Sequence, residues 1–561
     1  MSDLKKDLSD LSQKFLGYLK NKQYQRLQLE AEMLGDIEKQ HPSIIFYYAS
    51  SIYLKETSKK EDQLYSSLLF GKVYKINKNL QSLYNMIAVS FKTKVFRDVL
   101  PLVLQAYEKK PDDAKLIEGL ARIHFYLGNR KNSIELFRKL YKLFPKKTAG
   151  RFQFITSLNY SSDISQNEYM KECLNYTSLV ENNLDVLNDN FKFDIKKNDK
   201  IKISFISADF KNHSVTHFLR DILNKIDKSS FEINLISNLK MNQKDKISES
   251  MKKLANNWYD VEHYSDSDLT TFLRSLNLDV LIDLSGFTRG NRFEVFARRC
   301  AKIQIVWLGY NNSLGTKNSD YLISDKNLIQ MDELELYKEK ILFLPDVWNA
   351  LSKPENLPEI NKDLSHKNLE FKFCSFNNFQ KLSDRTINVW SRILNDTKAG
   401  IMLKDSLHDG EDLKNNVLKK FIANGVKKEQ IIFLDYEKKN EDHLKLYNKA
   451  IVALDTFPYP GVTTSFEAII MGLPVVTMKG FNFNSRCGES INKNINMDHL
   501  IANDDNDYVN IAKSLISDNK LLNDQYGIKL REKALMSPLF DTKKFTKNFE
   551  KLIKKVYKEI N

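Results

Sequence analysis

At 561 residues the chain is too long for one compact core, and roughly two to four domains are expected. Its 42% hydrophobic and 11% aromatic content can fill several cores, which excludes wholesale disorder. The formal charge of +14 comes from lysines scattered along the chain; without a dense basic block interleaved with aromatics, no nucleic-acid partner is expected.

Cys173, Cys300, Cys374 and Cys487 are widely separated, with no CxxC pair and no histidine at metal-ligand spacing. That pattern argues against zinc and disulfide frameworks and for a reducing compartment. The opening MSDLKKDLSDLSQKF lacks a signal peptide's apolar centre, and no run approaches the roughly 18 apolar residues of a membrane span. A cytoplasmic protein with no membrane span is expected.

Residues 1 to about 190 show apolar positions at helical spacing and almost no strand-like runs. Turn-like positions at Pro42, Asn77, Pro111 and Pro145 recur at intervals of 35, 34 and 34 residues. In the last unit Ala121 would let paired helices approach, Gly128 would break the helix, and Phe137 would fill the groove between units. The pattern predicts a tetratricopeptide-like array over 1–190, whose concave surface would take peptides. An unspecific helical bundle is the plainer alternative.

After Asn190 the pattern changes to strands alternating with helices. KIKISFISAD, FEINLIS, LDVLIDLSG and AKIQIVWLGY form one series; LEFKFCSF, EQIIFLD, KAIVALDTF and LPVVTM form a second. Such alternation predicts parallel sheets covered on both faces. The expected architecture is α + α/β: a helical array, a Rossmann-like lobe over 198–360, and a second Rossmann-like lobe with a C-terminal helix over 366–561. Ligands of such sheets sit beyond the carboxyl ends of the strands. The acidic strings at 265–268 and 504–507 read as solvated turns rather than metal ligands.

The stretch LDTFPYPGVTTSFEAIIMG carries two threonines and a glutamate at a helix mouth. Thr464 and Glu467 fit a capping box that satisfies the helix's own first amides. Alternatively, Thr463 and Thr464 meet a phosphate at the helix terminus, and Glu467 accepts from ribose hydroxyls.

The strings ISADFKNHSVTHFL, DVLIDLSGFTRGNRFEVFARR, QIVWLGY, SFNNFQKLS, DHLKLYNKAIVALDTFPYPGVTTSFEAIIMGLPVVT, SRCGESI and SPLFD occur in order over roughly 350 residues. Together they resemble the O-GlcNAc transferase/SPINDLY family, which carries tetratricopeptide repeats before a two-lobed GT-B region. The resemblance implies inverting transfer of a sugar from a nucleotide sugar to Ser or Thr hydroxyls of proteins held by the repeats, without a metal or other cofactor. UDP-GlcNAc is the expected donor; SPINDLY-type relatives use GDP-fucose, and a glucose donor stays open. In this resemblance Lys381 is the essential lysine facing the leaving diphosphate. Asn378 could donate to a phosphate oxygen, Thr463 and Thr464 complete the cradle, Glu467 holds the ribose, and His443 lies against the nucleoside. His213 is a candidate base or a donor to the diphosphate. Asp283 is the rival proton acceptor, with a strand-end cap as its plain alternative. Trp307-Leu308-Gly309-Tyr310 matches the loop near the donor sugar, which places Leu308 and Gly309 among the donor contacts.

Departures from the family pattern fall at Asn311-Asn312, Val462, Phe287 and Asn440, all near expected donor contacts. They bear on the sugar and the base more than on the transferase chemistry, and they keep one rival open, a repeat scaffold whose catalytic half only binds. A transferase acting on glycans or lipids is a separate alternative.

Overall fold

A computed structural model describes residues 2–184, 192–193, 199–360, 371–405, 410–517 and 525–560. The expected domain limits at 190, 198 and 366 lie outside the described residues. The chain forms two compact units: Met1–Pro145 with His408–Val417, and Lys146–Leu407 with Leu418–Asn561.

The first unit is built of the helices α1 (Ser2–Lys20), α2 (Tyr24–Met33), α3 (Pro42–Leu54), α4 (Lys60–Asn77), α5 (Leu80–Thr93), α6 (Leu100–Lys109), α7 (Ala114–Tyr126) and α8 (Arg130–Leu143), with α3 and α4 and then α7 and α8 paired as hairpins, α5 packed on α4, and α6 on α7. The sequence period marks the turns that lead into helices: Pro42 opens α3, Asn77 closes α4 just before α5, and Pro111 precedes α7. Asn79 caps α5 by accepting from the Gln81 amide at 2.9 Å, and Asp113 caps α7 by accepting from Lys115 and Leu116, each at 3.0 Å. Gly128, at φ 77°, turns the chain between α7 and α8. Ala49, Ala106, Ala121 and Phe137 are all buried, as the repeat pattern requires.

The helical region expected to run unbroken to residue 190 divides at Pro145. Helices α9 (Arg151–Leu158) and α10 (Gln166–Asn183) belong to the second unit, because their polar and aromatic side chains are complementary to its first lobe. Tyr169 exchanges a hydroxyl bond of 2.7 Å with Tyr310, and Thr177 donates to the Leu314 carbonyl at 3.1 Å.

The first lobe holds β1 (Ile201–Ser207), β2 (Phe231–Ser237), β3 (Asn257–Asp260), β4 (Leu278–Asp283), β5 (Ala301–Val306), β6 (Tyr321–Ser324) and β7 (Lys340–Phe343), in the order 3-2-1-4-5-6-7. The second holds β8 (Phe371–Ser375), β9 (Gly400–Lys404), β10 (Ile431–Leu434), β11 (Val452–Leu454), β12 (Val475–Met478) and β13 (Ile501–Ala502), in the order 10-9-8-11-12-13. Every neighbouring pair is parallel. Strand runs such as Leu278–Asp283, apolar apart from Asp279 and Asp283, are buried throughout, as sheets covered on both faces demand. The strand order of each sheet reverses once, between β1 and β4 and between β8 and β11, and those crevices are where such folds bind ligands.

Two further expectations are corrected. The C-terminal helix Thr542–Ile560, expected with the second lobe, packs on the first: the Phe549 ring lies tilted against Trp307 at 5.0 Å and stacks on Phe205 at 6.5 Å, and Glu550 accepts from the Asp227 amide. Its apolar residues Phe545, Phe549, Ile553 and Val556 form one stripe that buries against that lobe. The acidic strings are helix starts rather than free turns. Ser265 caps the Asp266–Ser275 helix, and Asp505 opens the Asp505–Ser517 helix while pairing with Arg385.

Candidate functional site

The Thr463–Ile470 helix follows β11 and opens at the second switch point. It is not held by a capping box. Val462 occupies the cap position, no side chain caps it, and Thr464 lies inside the first turn. The Thr464 hydroxyl donates instead to Asn377 Oδ1, on the loop after β8. Glu467 accepts from His443 Nε2 at 3.0 Å and from the Tyr447 hydroxyl at 3.3 Å. Both residues thus serve the crevice rather than their own helix, and the helix's partial positive end stays free of side-chain caps.

Asp455 organises the loop leading into this helix. Its carboxylate accepts from the Gly461 amide at 2.7 Å, Asn377 Nδ2 at 3.1 Å and the Thr477 hydroxyl at 2.9 Å. Burial nonetheless pushes it up to about 6, against the hydrogen bonds and the Lys381 charge that pull it down. Gly461 is required here, because a Cβ would lie 2.4 Å from Thr464 Oγ1 and 2.6 Å from Asn377 Oδ1. A small pocket beneath is lined by Ser375, Asn377, Asp455 and Thr464, and the Ser375 hydroxyl buried in it has no partner among the described residues.

Lys381 ends the short turn Phe379–Lys381 after β8. Its ammonium donates to the Pro460 carbonyl at 2.7 Å and lies 4.4 Å from the centre of the Tyr459 ring. It is turned into the structure, and burial lowers its pKa to about 8 despite the nearby Asp455 and Cys487. Asn378 also holds its own turn: its Oδ1 accepts from the Gln380 amide at 2.8 Å. Thr463 stands at the first helical position.

His443 is braced on both sides. Lys404, buried at the end of β9, donates to Nδ1 at 3.0 Å, and Nε2 faces Glu467. An ammonium has no lone pair to offer, so Nδ1 must be the acceptor and Nε2 carries the proton. His443 therefore links Lys404 to the Glu467 carboxylate and orients it.

In the first lobe, His213 caps the Ser214–Lys225 helix, with Nδ1 accepting from the Val215 amide at 3.3 Å. The same bond puts the proton of the neutral ring on Nε2, which makes the outward nitrogen a donor. Crowding lowers its pKa, with Asp209 opposing and Lys211 adding to the effect. Asp283 is 5% exposed and accepts from the amides of Ser285 at 3.1 Å and Gly286 at 2.7 Å, the geometry of a strand-end cap. Burial pushes it up to about 6. Leu308 takes the strained φ of 75°, and a Cβ on Gly309 would collide with the Leu284 carbonyl at 1.8 Å. These two residues fold the strand end back sharply above β4.

The lobes meet through these loops. Phe218 packs edge-on against Phe466 at 5.4 Å, Asn311 donates to Cys487 Sγ at 3.3 Å, and Ser490 donates to Asp325 at 2.8 Å. The departures at Asn312 and Phe287 turn away from the donor crevice. Asn312 bonds to Asn159 and Gln166, and Phe287 packs among Tyr176, Phe293 and Tyr310. Both match the α9–α10 hairpin. Asn440 is exposed at the start of the helix that carries His443. Asn377, Lys404, Asp455 and Tyr459 were not singled out from sequence. Asn377 had the one visible signal, an asparagine pair after a strand; the other three needed long-range contacts to be noticed.

Glycosyl transferase family 41 matches residues 161–362 and 360–549. The probable UDP-N-acetylglucosamine–peptide N-acetylglucosaminyltransferase SPINDLY of Solanum lycopersicum is 27% identical over 359 residues, 64% of this chain and 38% of that protein. The similarly named SEC protein of Arabidopsis thaliana is 26% identical over 366 residues, 63% and 36% of the two chains. This chain spans about two fifths of the length of the curated relatives it matches. A mutant O-GlcNAc transferase of Thermobaculum terrenum shares the fold, with a TM-score of 0.79 at 24% identity over 93% of this chain and 99% of that one. With both lobes matched almost end to end, the chain belongs to glycosyl transferase family 41.

Proposed function

We propose that this protein transfers GlcNAc from UDP-GlcNAc to Ser or Thr hydroxyls of protein acceptors, with inversion and without a metal. The carrying observation is the second switch point: a helix terminus left uncapped by side chains, with a threonine hydroxyl and a turned-in ammonium on neighbouring loops. Relatives named as UDP-N-acetylglucosamine–peptide N-acetylglucosaminyltransferases support the donor and the acceptor class.

In this reading the acceptor oxygen attacks the anomeric carbon as the bond to the diphosphate breaks, and the attacking hydroxyl gives up its proton to water. The charge growing on the diphosphate meets Lys381, the first amides of the Thr463–Ile470 helix, and the hydroxyls of Thr463 and Thr464. Glu467, oriented by His443 and Tyr447, accepts from the ribose. His213 donates through Nε2 to the leaving group rather than taking the first proton, a role its bond to Val215 supports. Asp283 shapes the turn under the WLGY loop. The hairpin array holds the acceptor. Four unpaired, buried cysteines suit a reducing cytoplasm.

The test is donor turnover on a panel of UDP-GlcNAc, UDP-glucose and GDP-fucose. UDP-GlcNAc should be consumed fastest. Preference for GDP-fucose would move the chain to fucosyl transfer, and failure to bind or consume any sugar nucleotide would overturn the reading.

A further inference from the structure

A lysine side chain is a flexible stem with three rotatable donors, so a lysine that must meet one phosphate gains from being held beforehand. A carboxylate partner would hold it but would also cancel the charge that the phosphate needs. Among the described residues, no carboxylate forms an ion pair with Lys381; Asp455 and Cys487 act on it only from beyond contact. Its ammonium instead bonds to the Pro460 carbonyl at 2.7 Å and lies 4.4 Å from the Tyr459 ring centre. An aromatic face attracts a cation without neutralising it.

The Tyr459 ring is itself held. It meets the Tyr160 ring, just beyond α9, at 4.6 Å with an interplanar angle of 35°. Its carbonyl accepts from Thr456 Oγ1 at 2.7 Å, and the Phe457 carbonyl two residues earlier accepts from Ser383 at 2.8 Å and Thr386 at 2.7 Å. The loop thus cannot swing without breaking bonds on both flanks. The stack runs from the α9–α10 hairpin through Tyr459 to the ammonium.

We infer that Tyr459, backed by Tyr160, is the positioning residue that presents the Lys381 ammonium to the donor diphosphate through its aromatic face. The inference rests on the proposed role of Lys381. It gives the α9–α10 hairpin a part in the chemistry of the second lobe, since it supplies the outer ring.

The experiment compares Y459F, Y459L, Y160L and K381A in the full chain, measuring kcat and KM for UDP-GlcNAc hydrolysis from pH 6 to about 10, with thermal melting as a control. Y459L should lower kcat about tenfold, and the alkaline limb of its profile should move down by about half a unit or more, because the lost ring favoured the ammonium form. Y459F should recover most of the rate and restore the limb. Y160L should show the same signature at about threefold. If K381A is inactive while Y459L keeps the wild-type rate and limb, the inference fails and the proposed function stands. Equal losses in Y459F and Y459L would also overturn it, since the hydroxyl rather than the face would then matter. An active K381A would overturn the reading of the site itself. Should Y459L not fold, the limbs of Y459F and Y160L decide: Y160L must shift and Y459F must not.

Discussion

Asp283 ends β4 in the first lobe, and Asp455 follows β11 in the second; each strand borders the switch point of its sheet. Both carboxylates are buried and pushed up to about 6 by that burial. Their partners separate them. Asp283 accepts from amides two and three residues ahead and makes a turn. Asp455 accepts from Gly461, Asn377 and Thr477, and so ties three loops around the start of the Thr463–Ile470 helix. One position in one topology gives a local cap in one lobe and a brace between loops in the other. The difference lies in how far the next glycine and the next polar side chain stand from the carboxylate.

The strongest way to break this contrast is to compare Lys381→Ala with Asp283→Ala. We expect the first to lose about 10²–10³ in kcat with little change in melting temperature. The second should lose far less rate; a fall of 10²–10⁴ would make Asp283 a proton acceptor and erase the distinction. Steady-state hydrolysis of the donor measures both.

The pH profile sharpens it next. Lys381 at about 8 must be protonated to meet the diphosphate, so kcat/KM for the donor should fall tenfold per unit above about pH 8. Lys381→Arg should flatten that limb, because guanidinium keeps its proton.

The aspartates themselves provide a stability test. Both have raised pKa values in the fold, so their stabilising contribution is full below about pH 4 and is lost as pH rises through about 6. Urea unfolding across this range should show a shallower slope in Asp283→Asn and in Asp455→Asn. At neutral pH each should also lose about 1–3 kcal/mol through mismatched hydrogen bonds. Only Asp455→Asn should weaken donor binding as well.

The smallest effect is expected at the nucleoside end. Glu467→Gln should raise the donor KM about fivefold and leave kcat nearly unchanged, and His443→Gln should do the same by freeing the carboxylate it orients. A loss in kcat instead would place Glu467 nearer the reacting bond than the ribose.

Much of the architecture was visible in the chain. Strand runs such as Ile201–Ser207 and Phe231–Ser237, and the period ending at Gly128, report local preferences that survive folding. Lys381, Thr464, Glu467 and His443 were found through their strings, and the structure brings all four to the second switch point. The cap that Asn378 makes on its own turn was not legible, because a turn cap and a phosphate contact call for the same residue type in the same place. The α9–α10 hairpin and the C-terminal helix were assigned to the wrong neighbours for a related reason. An apolar stripe states that a face is buried, without naming what covers it.

Periodicity and turn chemistry, which depend on residues a few positions apart, were enough to specify the helical hairpins, the two parallel sheets and the helix that opens at Thr463. The uses of the polar groups were settled by folding. Whether Thr464 bonds to its helix or to Asn377, whether Asp455 makes a turn or a brace between loops, and what lies beside the Lys381 ammonium all depend on atoms 70 to 300 residues away in sequence. Hydrogen bonds and ring contacts act over a few ångströms, and only packing decides which distant residues come within that reach.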